Sequence, residues 1–590
     1  MSEKFTKEEA WFIEPFFTNL DRHVFAAKLL PSEVLGALAS RYSRSTKGVR
    51  RLFYDEYIKP ILEPDLDGAD KKSAKEAEEM KRELIGLVDY LHKNGGWEAV
   101  VNSKRARDFF NKWLAAYGDD SIAQLAGAHL FFEGISNVAT QYLEDFRIGF
   151  APLEKSTRYV LFNQKVNGRW LYHIDSDLAK SSYGKEYVQL MNLLFKHYSD
   201  SIEPLSKYLK KLFPKEADQS DRAYEGTIKA KTCDVLRYYL PAATLTNVGF
   251  FGVGQAFEYV ITKCLASPIA ELRQLAKDAQ RELSVVIPSM VWRATSPRGK
   301  VYQKYVSKTE KDLEKIAHTV LRHSGERSDS RIDSGQARMT LSGFSASSSP
   351  GLSASSSPGL ERGDGGVDLV EWDEDAEDRI IASILYKYSE EEYRSTKEKA
   401  QKMSAKQKLD VIRLAVKGRQ VRQHRLIRAF ENTYYKFDIV ANFGAYRDLH
   451  RHRMLTQERQ RFTTELGFDV PPDLQAAKMD KPYLLAAQKI DNLYRRVKKR
   501  YPDQAQYLVL MGNRVRWYQF ENLRELGWEA ELRTGPQGHP DYRKIEHEKI
   551  NAVAKVHPAL VEALKFVDFN DYKLARRESE KKIDKKLGIK

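Results

Sequence analysis

The stretch YKFDIVANFGAYRDLHRHR, from Tyr435 to Arg453, contains an apolar segment that leads into an amphipathic helix and ends in a cluster of cations. Its last three residues are Arg451, His452 and Arg453, and Arg447 lies about one helical turn before them. Like charges this close repel one another. The cluster therefore predicts either a solvent-screened basic face or an anionic ligand held among these side chains.

An earlier stretch has the same pattern. LFFEGISNVATQYLEDF, at 130–146, also predicts an apolar segment that feeds an amphipathic helix. Two further pairs occur in the same order: HVFAAKLLPSEVLGALASRYS (23–43) with VDLVEWDEDAEDRIIASILYKYS (367–389), and ELRQLAKDAQREL (271–283) with ELRTGPQGHPDYRKI (531–545). Each member of the first pair predicts a strand followed by a helix. The order of these matches indicates an old tandem duplication.

A low-complexity segment separates the two halves. SASSSPGLSASSSPGLERGDGG, at 345–366, repeats an octapeptide of small and turn-forming residues that supplies nothing to bury, which is typical of a flexible linker. We therefore predict a first domain at 1–324, a linker at 325–366, a second domain at 367–574 and a basic tail at 575–590. The first domain carries a charged helical insertion at about 64–95.

Bulk composition narrows the classes of function. The chain has 590 residues and a formal net charge of +15, which favours anionic partners or a solubilising basic surface. Cys233 and Cys264 are its only cysteines, so a disulfide framework and a four-thiolate zinc site are excluded, and we interpret both as ordinary buried residues. No secretory signal or membrane-length apolar run is present, and we expect a cytoplasmic protein with no membrane partner.

The cluster at 451–453 resembles the Arg-His-Arg signature of flavin-dependent thymidylate synthases. In that family a Ser-x-Arg-Tyr signature follows shortly after, but here the corresponding place reads Arg461-Phe462-Thr463-Thr464. The first half shows the opposite arrangement. It has Ser156-Thr157-Arg158-Tyr159, with Glu144-Asp145-Phe146-Arg147 where Arg-His-Arg is expected.

The later family motifs divide in the same way. LRYYLP in the first half keeps Arg237 of the family's Ala-Arg-x-x-Leu-Pro segment, where the second half has Gln506. The second half keeps Asn522-Leu523-Arg524 and the last substrate arginine, Arg533, where the first half has Val253-Gly254-Gln255 and Lys263 or Cys264. Each half therefore lacks motif residues that the other half retains. This division resembles a duplicated, fused member of the family.

The resemblance implies an α+β fold made of two tandem flavin-dependent thymidylate synthase-like domains. It implies methylation of dUMP to dTMP, with methylenetetrahydrofolate as one-carbon donor and NADPH-reduced FAD as hydride source. Family members place the active site at subunit interfaces of a homotetramer. The fused chain is accordingly expected to form a homodimer that imitates this tetramer, with one composite site for each pair of halves.

The resemblance also assigns roles to individual residues. The assigned arginines suit these roles, because arginine makes forked, charge-assisted bonds to phosphate groups. The expected nucleotide ligands are Glu154, Ser156, Arg158 and Arg237 of the first half and Arg533 of the second. The expected flavin ligands are Arg451, His452, Arg453, Asn522, Arg524, His424 and Glu431, and Arg451, His452 and Arg453 are also the candidate catalytic residues. No protein nucleophile or metal is implied.

Other interpretations stay open. The missing motif residues allow an inactive or repurposed nucleotide-binding scaffold, and the net charge allows a nucleic-acid-binding protein, although no stacking-aromatic module of a known kind supports nucleic acid as the partner. Asp448 lies four residues before His452 and could form a local pair with it. Gly252-Val253-Gly254 lacks the third glycine of a dinucleotide fingerprint and more simply predicts close packing.

Overall fold

The chain contains two four-stranded antiparallel sheets, one in each half. The computed structural model describes residues 3–67, 70–94, 124, 126–326, 366–574 and 576–588, so most of the predicted linker lies outside the described residues. The first sheet has the order β1-β2-β6-β3 and the second the order β7-β8-β10-β9; β4 and β5 form a separate hairpin. The strands are β1 Val24–Ala26, β2 Gly127–Ser136, β3 Phe150–Glu154, β4 Lys165–Val166, β5 Arg169–Trp170, β6 Leu245–Val253, β7 Gly366–Trp372, β8 Tyr434–Asn442, β9 Thr456–Arg459 and β10 Arg514–Asn522.

Helices pack around both sheets, and the predicted α+β class is confirmed. Those of the first half are α1 Lys7–Ile13, α2 Ser32–Tyr42, α3 Val49–Phe53, α4 Lys59–Leu62, α5 Lys71–Asn94, α6 Asn137–Glu144, α7 Ser176–Lys180, α8 Gly184–Leu212, α9 Asp221–Leu236, α10 Gly254–Ala266, α11 Ala270–Val286, α12 Pro288–Val291 and α13 Pro297–Glu326. Those of the second half are α14 Ala376–Lys387, α15 Tyr393–Lys402, α16 Ala405–Val416, α17 Phe443–Leu449, α18 Pro472–Ala476, α19 Lys481–Lys498, α20 Pro502–Ala505, α21 Leu523–Arg533, α22 Pro540–Val556 and α23 Pro558–Val561, followed by α24 Arg577–Leu587 near the C-terminus. None of the helices in the described ranges is both long and apolar enough to cross a membrane.

Equivalent strand–helix units open in the same way in both halves. Strand β2 leads into α6 and β8 leads into α17, and the side chains of Ser136 and Asn442 cap the two helices by accepting backbone N–H groups of the first turn. One predicted match is wrong in its pairing. Glu271 begins α11, whereas Glu531 lies near the end of α21, so the element equivalent to α11 is α22.

Sheet register supports the equivalence of the two substrate-motif positions. Glu154 at the end of β3 lies opposite Val248 of β6, and Arg459 at the end of β9 lies opposite Trp517 of β10. The residues that follow are Ser156-Thr157-Arg158-Tyr159 in one half and 461–464 in the other. Both segments therefore leave the same edge of their sheets. Gly252 of β6 faces Phe150 so closely that a Cβ atom would lie 2.7 Å from its ring, which confirms that this glycine serves close packing.

The two halves meet through an antiparallel backbone bridge. The N–H of Ala242 donates to the carbonyl of Val509 at 2.7 Å, and the N–H of Met511 donates to the carbonyl of Leu240 at 2.8 Å. Pro241 lies opposite Leu510 at its centre. Because the paired residues occupy equivalent positions in the repeat, a local two-fold axis passes through this bridge.

Side chains repeat the same two-fold relation. The hydroxyl of Tyr507 donates to Glu271 of the other half at 2.8 Å, and the hydroxyl of Tyr238 donates to Asp541. Glu271 also accepts from Ser136, and Asp541 accepts from Asn442, so each acid joins a helix cap in its own half to a tyrosine of the other. The two tyrosines and the apolar bridge residues Leu240, Ala242, Val509 and Met511 belong to one continuous hydrophobic core, which the two halves share.

Gly512, beside this bridge, offers a test of its importance. A Cβ atom at Gly512 would overlap the hydroxyl of Tyr483 and lie 2.9 Å from Cδ1 of Tyr238 in the other half. Gly512→Ala should therefore lower the free energy of unfolding by about 1–3 kcal/mol, as overpacking does. Thermal and denaturant unfolding would measure the loss. Gly418→Ala is the control, because a Cβ there meets nothing within 4 Å; equal stability of the two variants would contradict the expectation.

Candidate functional site

A large cavity lies between the two halves, where α6 and α17 end. Its volume is about 1000 Å³. The first half supplies the turn from Arg147 to Ala151 with part of β6, and the second half supplies the rest. The wall residues that bear on function are Arg147, Phe251, Arg419, Arg425, Glu431, Arg451, His452, Arg453, Asn522, Arg524, Glu525, Trp528, Glu531 and Arg533.

The cavity wall is strongly cationic. Among the described residues, seven arginines and three glutamates line it, so arginines outnumber carboxylates in the wall by four. Aromatic side chains line the cavity too, including Phe251 and Trp528, and the guanidinium of Arg425 lies 4.4 Å from the ring centre of Trp528. A space of this size with excess cations and aromatic side chains in its wall fits a ligand that combines a diphosphate with flat rings.

His452 is buried at the base of this wall and has a defined hydrogen-bonding state. Its Nε2 accepts from the Nε–H of Arg533 at 2.9 Å, so the ring proton sits on Nδ1, which lies 3.3 Å from Glu525. The predicted local pair between His452 and Asp448 does not form. Asp448 instead accepts from NH1 of Arg237 in the other half at 2.8 Å.

Arginines 447 and 451 are drawn across to the first half by one carboxylate. Glu154 accepts from the Nε of Arg447 at 3.0 Å and from NH2 of Arg451 at 3.3 Å, and its side chain is fully buried. The guanidinium of Arg453 contacts the carbonyl of Phe150, and its own carbonyl accepts from Arg147 at 2.9 Å. The cationic cluster at 447–453 is therefore partly neutralised by the protein itself, at the boundary between the halves.

The other expected flavin ligands divide into two groups. Asn522, Arg524 and Glu431 line the cavity, and Arg524 donates to both Glu431 and the carbonyl of Leu426. The side-chain oxygen of Asn522 also caps α21. His424 is exposed and lies outside the cavity wall, where its Nδ1 accepts from the backbone of the same loop.

The candidate nucleotide ligands of the first half lie behind the cavity wall. Arg158 is buried and makes a two-pronged pair with Asp234, at 2.8 and 3.1 Å, and its NH1 donates to the hydroxyl of Tyr542 at 2.8 Å. Ser156 accepts from the N–H of Arg158 at 3.2 Å. Arg237 is almost fully buried, and its Nε and NH2 have no hydrogen-bond partner among the described residues. Arg237 therefore keeps donors that a ligand could use.

Tyr542 connects the two sets of candidates. The guanidinium of Arg158 from the first half lies 5.5 Å from its ring centre, and that of Arg533 from the second half lies 5.8 Å away. Sequence reasoning missed Tyr542, because an aromatic residue in the first turn of a helix carries no signal of its own. It also missed Asp234, although its position three residues before Arg237 places both on neighbouring turns of one helical segment.

The carboxyl groups near this site differ widely in acidity. Burial opposes the ionisation of Asp234, but Arg158 and Arg576 outweigh it and hold its carboxyl pKa far below the usual range. Burial and the charge of Glu154 raise the pKa of Glu144 to about 8, against the opposing charge of Arg451. Neither carboxylate oxygen of Glu144 has a hydrogen-bond partner among the described residues. A carboxyl group beside Arg451 can therefore hold a proton near neutral pH.

A second buried acid cluster supports His452 from behind. The ammonium of Lys549 is fully buried and lies 2.6 Å from Glu521, 3.0 Å from Glu529 and 3.4 Å from Glu546. Glu529 is also 3.9 Å from Nε2 of His452. Burial and the charge of Glu529 raise the pKa of Glu546 to about 8, so this cluster retains a proton as well.

The flavin expected from the sequence fits the residues present. Arg451, Arg453 and Arg524 would hold the diphosphate and the electron-rich end of the ring system, since guanidinium groups bind anions in forked geometry. The Nε of Arg451 is buried and has no protein acceptor among the described residues, so a donor is available beside the cavity. Arg533 is the expected nucleotide ligand that faces the same cavity.

Comparisons with known proteins agree with the duplicated pattern. Residues 62–289 and 368–559 each match the family described as "Thymidylate synthase complementing protein". A UPF0159 protein of Chlamydia muridarum is 36% identical over 576 residues and covers 98% of both chains. A UPF0159 protein of Thermoplasma acidophilum is 30% identical over 518 residues, which is 82% of this chain and 94% of that one.

A solved structure gives a weaker match. A UMP/dUMP methylase, PolB, from Streptomyces cacaoi bound with 5-Br dUMP is 19% identical, with a TM-score of 0.27. The match covers 35% of this chain and 96% of that one. The family assignment therefore rests on the sequence comparisons, in which two segments of the chain match the family, and not on this structure.

The proton held by Glu144 leads to a prediction about stability. Its pKa rises from 4.5 to about 8 on folding, so the native state binds more protons than the unfolded state between these values. The free energy of unfolding must then fall as pH rises through this window. Glu144→Gln keeps an uncharged side chain of the same shape and should be more stable than the parent at pH 8–9, by about 1–3 kcal/mol, with a smaller difference near pH 5.

Melting temperatures of both proteins across this pH range would measure the effect. Glu390→Gln is the control, because Glu390 is exposed and the substitution removes a carboxyl group that lies outside the core. A Glu144→Gln variant that parallels the parent at every pH would show that Glu144 ionises normally in the folded protein.

Proposed function

Because the chain belongs to the flavin-dependent thymidylate synthase family, we propose that it methylates dUMP to dTMP at a composite site built from both of its halves. Family membership by itself supports a nucleotide-methylating enzyme. The finer assignment adds FAD as the bound cofactor, NADPH as its reductant and methylenetetrahydrofolate as the one-carbon donor. We propose a first domain at 1–324, a linker at 325–366, a second domain at 367–574 and a basic tail at 575–590. We also propose that the protein is cytoplasmic and forms a homodimer.

One observation carries the composite-site proposal. Motif residues that only the first half retains, Arg158 and Arg237, lie beside motif residues that only the second half retains. Arg237 reaches Asp448 at 2.8 Å, and Tyr542 lies between Arg158 and Arg533. These contacts support a site to which both halves of one chain contribute.

The chain's own residues then have distinct tasks. Bound FAD would supply the hydride, while the protein supplies position and electrostatic field. Arg451, Arg453 and Arg524 would bind its anionic groups, and Asn522 and Glu431 would orient them. His452, held between Arg533 and Glu525, would keep the guanidinium of Arg533 oriented at the cavity wall.

The nucleotide would bind beneath the flavin cavity. Arg237 would offer the two donors that have no partner among the described residues, Arg533 would reach the site from the cavity wall, and Ser156 and Arg158 would complete the phosphate cradle. Glu154 acts as the crosslink that holds Arg447 and Arg451. We therefore propose a positioning role for Glu154 instead of direct substrate binding.

A second candidate function has specific support. Arg158 is paired with the buried Asp234 and Arg237 with the partly buried Asp448, so a phosphate must displace or share these partners. If Asp234 and Asp448 stay paired with these arginines, the site cannot bind the phosphate in the way that catalysis requires, which favours a repurposed nucleotide-binding scaffold. Incubation of purified protein with FAD, NADPH, methylenetetrahydrofolate and dUMP, followed by assay of dTMP, separates the two functions. A flavin-bound protein that makes no dTMP supports the scaffold.

Flavin binding can be tested with two arginines that share a partner. Arg524 lines the cavity, whereas Arg428 is mostly exposed, and both contact Glu431. Arg524→Ala should weaken FAD binding by about 10- to 100-fold, because a charge-assisted contact contributes about 1.5–3 kcal/mol. Titration by visible absorption measures this affinity. Arg428→Ala is the matched control, and equal loss in both variants would argue against the cavity as the FAD site.

Nucleotide binding can be tested with Arg158→Lys, which keeps the charge but loses the fork. We expect dUMP affinity to fall about 10-fold or more while the FAD absorption spectrum is unchanged. Isothermal titration with dUMP provides the measurement. The control is Arg293→Lys, since Arg293 makes a similar two-donor contact to Glu258 away from the site. Unchanged dUMP affinity in Arg158→Lys would refute the split site.

A further inference from the structure

The C-terminal segment lies against the substrate motif of the first half. Arg576 is only 4% exposed, and its NH1 donates to the carbonyl of Arg158 at 3.0 Å. Its NH2 lies 3.5 Å from Oδ2 of Asp234, and its guanidinium lies 4.3 Å from the ring centre of Tyr159. One arginine from the C-terminal segment thus contacts Arg158 of the proposed nucleotide site and two residues that neighbour Arg158 in space or in sequence.

The backbone at Arg576 shows that its position is enforced. Its φ angle is +87°, in the left-handed region that residues with a Cβ atom rarely adopt. Such a conformation costs free energy and persists only where surrounding contacts determine it. The contacts of the buried guanidinium and the helix that follows provide this constraint.

Helix α24 is fastened mainly by ionic contacts. Asp584 accepts from Ser220 and from Arg222 at the start of α9, with 2.6 Å to the Nε of Arg222. Lys581 contacts Glu216 and Asp218 in the loop before α9, at 2.8 Å for Asp218. Helix α9 carries Asp234 at its other end, so the segment spans the helix that supplies the acid of the site.

Asp234 has two arginine partners, Arg158 and Arg576. The second, Arg576, matters if a ligand draws Arg158 away from Asp234. The guanidinium of Arg158 is committed to Asp234, Tyr542 and the carbonyl of Gln537. A phosphate that takes donors from Arg158 would leave Asp234 buried with less compensation, which is costly. Arg576 supplies a second positive charge to the same carboxylate. With Arg576 in place, Arg158 can turn towards a phosphate while Asp234 remains paired.

We propose that Arg576 is a positioning residue for the nucleotide, and that the C-terminal segment is therefore part of the nucleotide site. This inference rests on the proposed function, since it takes the ligand to be a nucleoside monophosphate. The Nε of Arg576 is buried and has no hydrogen-bond partner among the described residues, which leaves a donor close to the phosphate cradle. The predicted basic tail thus has a defined place and a defined role.

The first test compares Arg576→Ala and Arg576→Lys in the full-length protein loaded with FAD. Arg576→Ala should weaken dUMP binding about 10-fold or more, measured by titration calorimetry, while FAD affinity is unchanged. Arg576→Lys should recover part of the loss, because it restores the charge beside Asp234 without the fork. The control is Lys582→Ala on the exposed face of α24, which should bind dUMP like the parent.

The second test uses reciprocity between the ligand and the segment. If Arg576 favours dUMP binding, then dUMP must favour the docked segment by the same factor. Amide hydrogen exchange over residues 576–588 should slow when dUMP is added, and this slowing should disappear in Arg576→Ala. A residue with a purely structural role would lower the melting temperature without producing this response.

The outcomes separate this inference from the proposed function. If the parent protein binds neither FAD nor dUMP, the proposed function fails, and the role of Arg576 fails with it. If the parent binds both but Arg576→Ala retains full dUMP affinity, only the role of Arg576 is overturned. If Arg576→Ala loses FAD and dUMP equally, its effect is on folding, and the positioning role is also rejected.

Discussion

An antiparallel backbone bridge between 240–242 and 509–511 is the constraint on which the rest of the structure depends. Two reciprocal hydrogen bonds join these segments inside the shared core, where no water competes for them. The bridge fixes a local two-fold axis, and the tyrosine–acid pairs at Tyr507 and Tyr238 extend the same relation. Every contact between the two sets of motif residues follows from this relative placement.

The two-fold arrangement also explains how complementary loss can be tolerated. Equivalent loops from the two halves meet near the axis, so a site at this boundary draws on both. One half keeps Arg158 and Arg237 and the other keeps the cluster at 451–453, and in the proposed composite site these two partial sets complement each other. Glu154, Asp234 and Asp448 then fix arginines in place, two of them through contacts across the boundary.

Buried charge links stability to the proposed chemistry. Burying arginines and carboxylates together is costly unless each is paired, and fixed donors are what a phosphate or a flavin requires. The cluster of Lys549 with three glutamates extends this network from His452 into the core. Glu144 and Glu546 hold protons that folding has made harder to release. The interior near the site is therefore a balanced charge network as much as an apolar core.

Local sequence determined the repeat, the α+β class and the positions of the motifs, because strand–helix periodicity, caps and short signatures depend on neighbouring residues. It placed Ser156–Tyr159 and 461–464 at equivalent points, which the sheet register supports. Only the tertiary structure decided which charges pair. Asp448 lies near His452 in sequence but pairs with Arg237, Tyr542 joins Arg158 to Arg533, and Arg576 reaches Asp234 from the end of the chain. The pairs Arg237–Asp448, Asp234–Arg576 and Arg158–Tyr542 are separated by 211, 342 and 384 residues, and nothing in a local pattern encodes such distances. The fold brings these groups together, and their burial makes the pairing necessary, because a buried charge without a partner is costly.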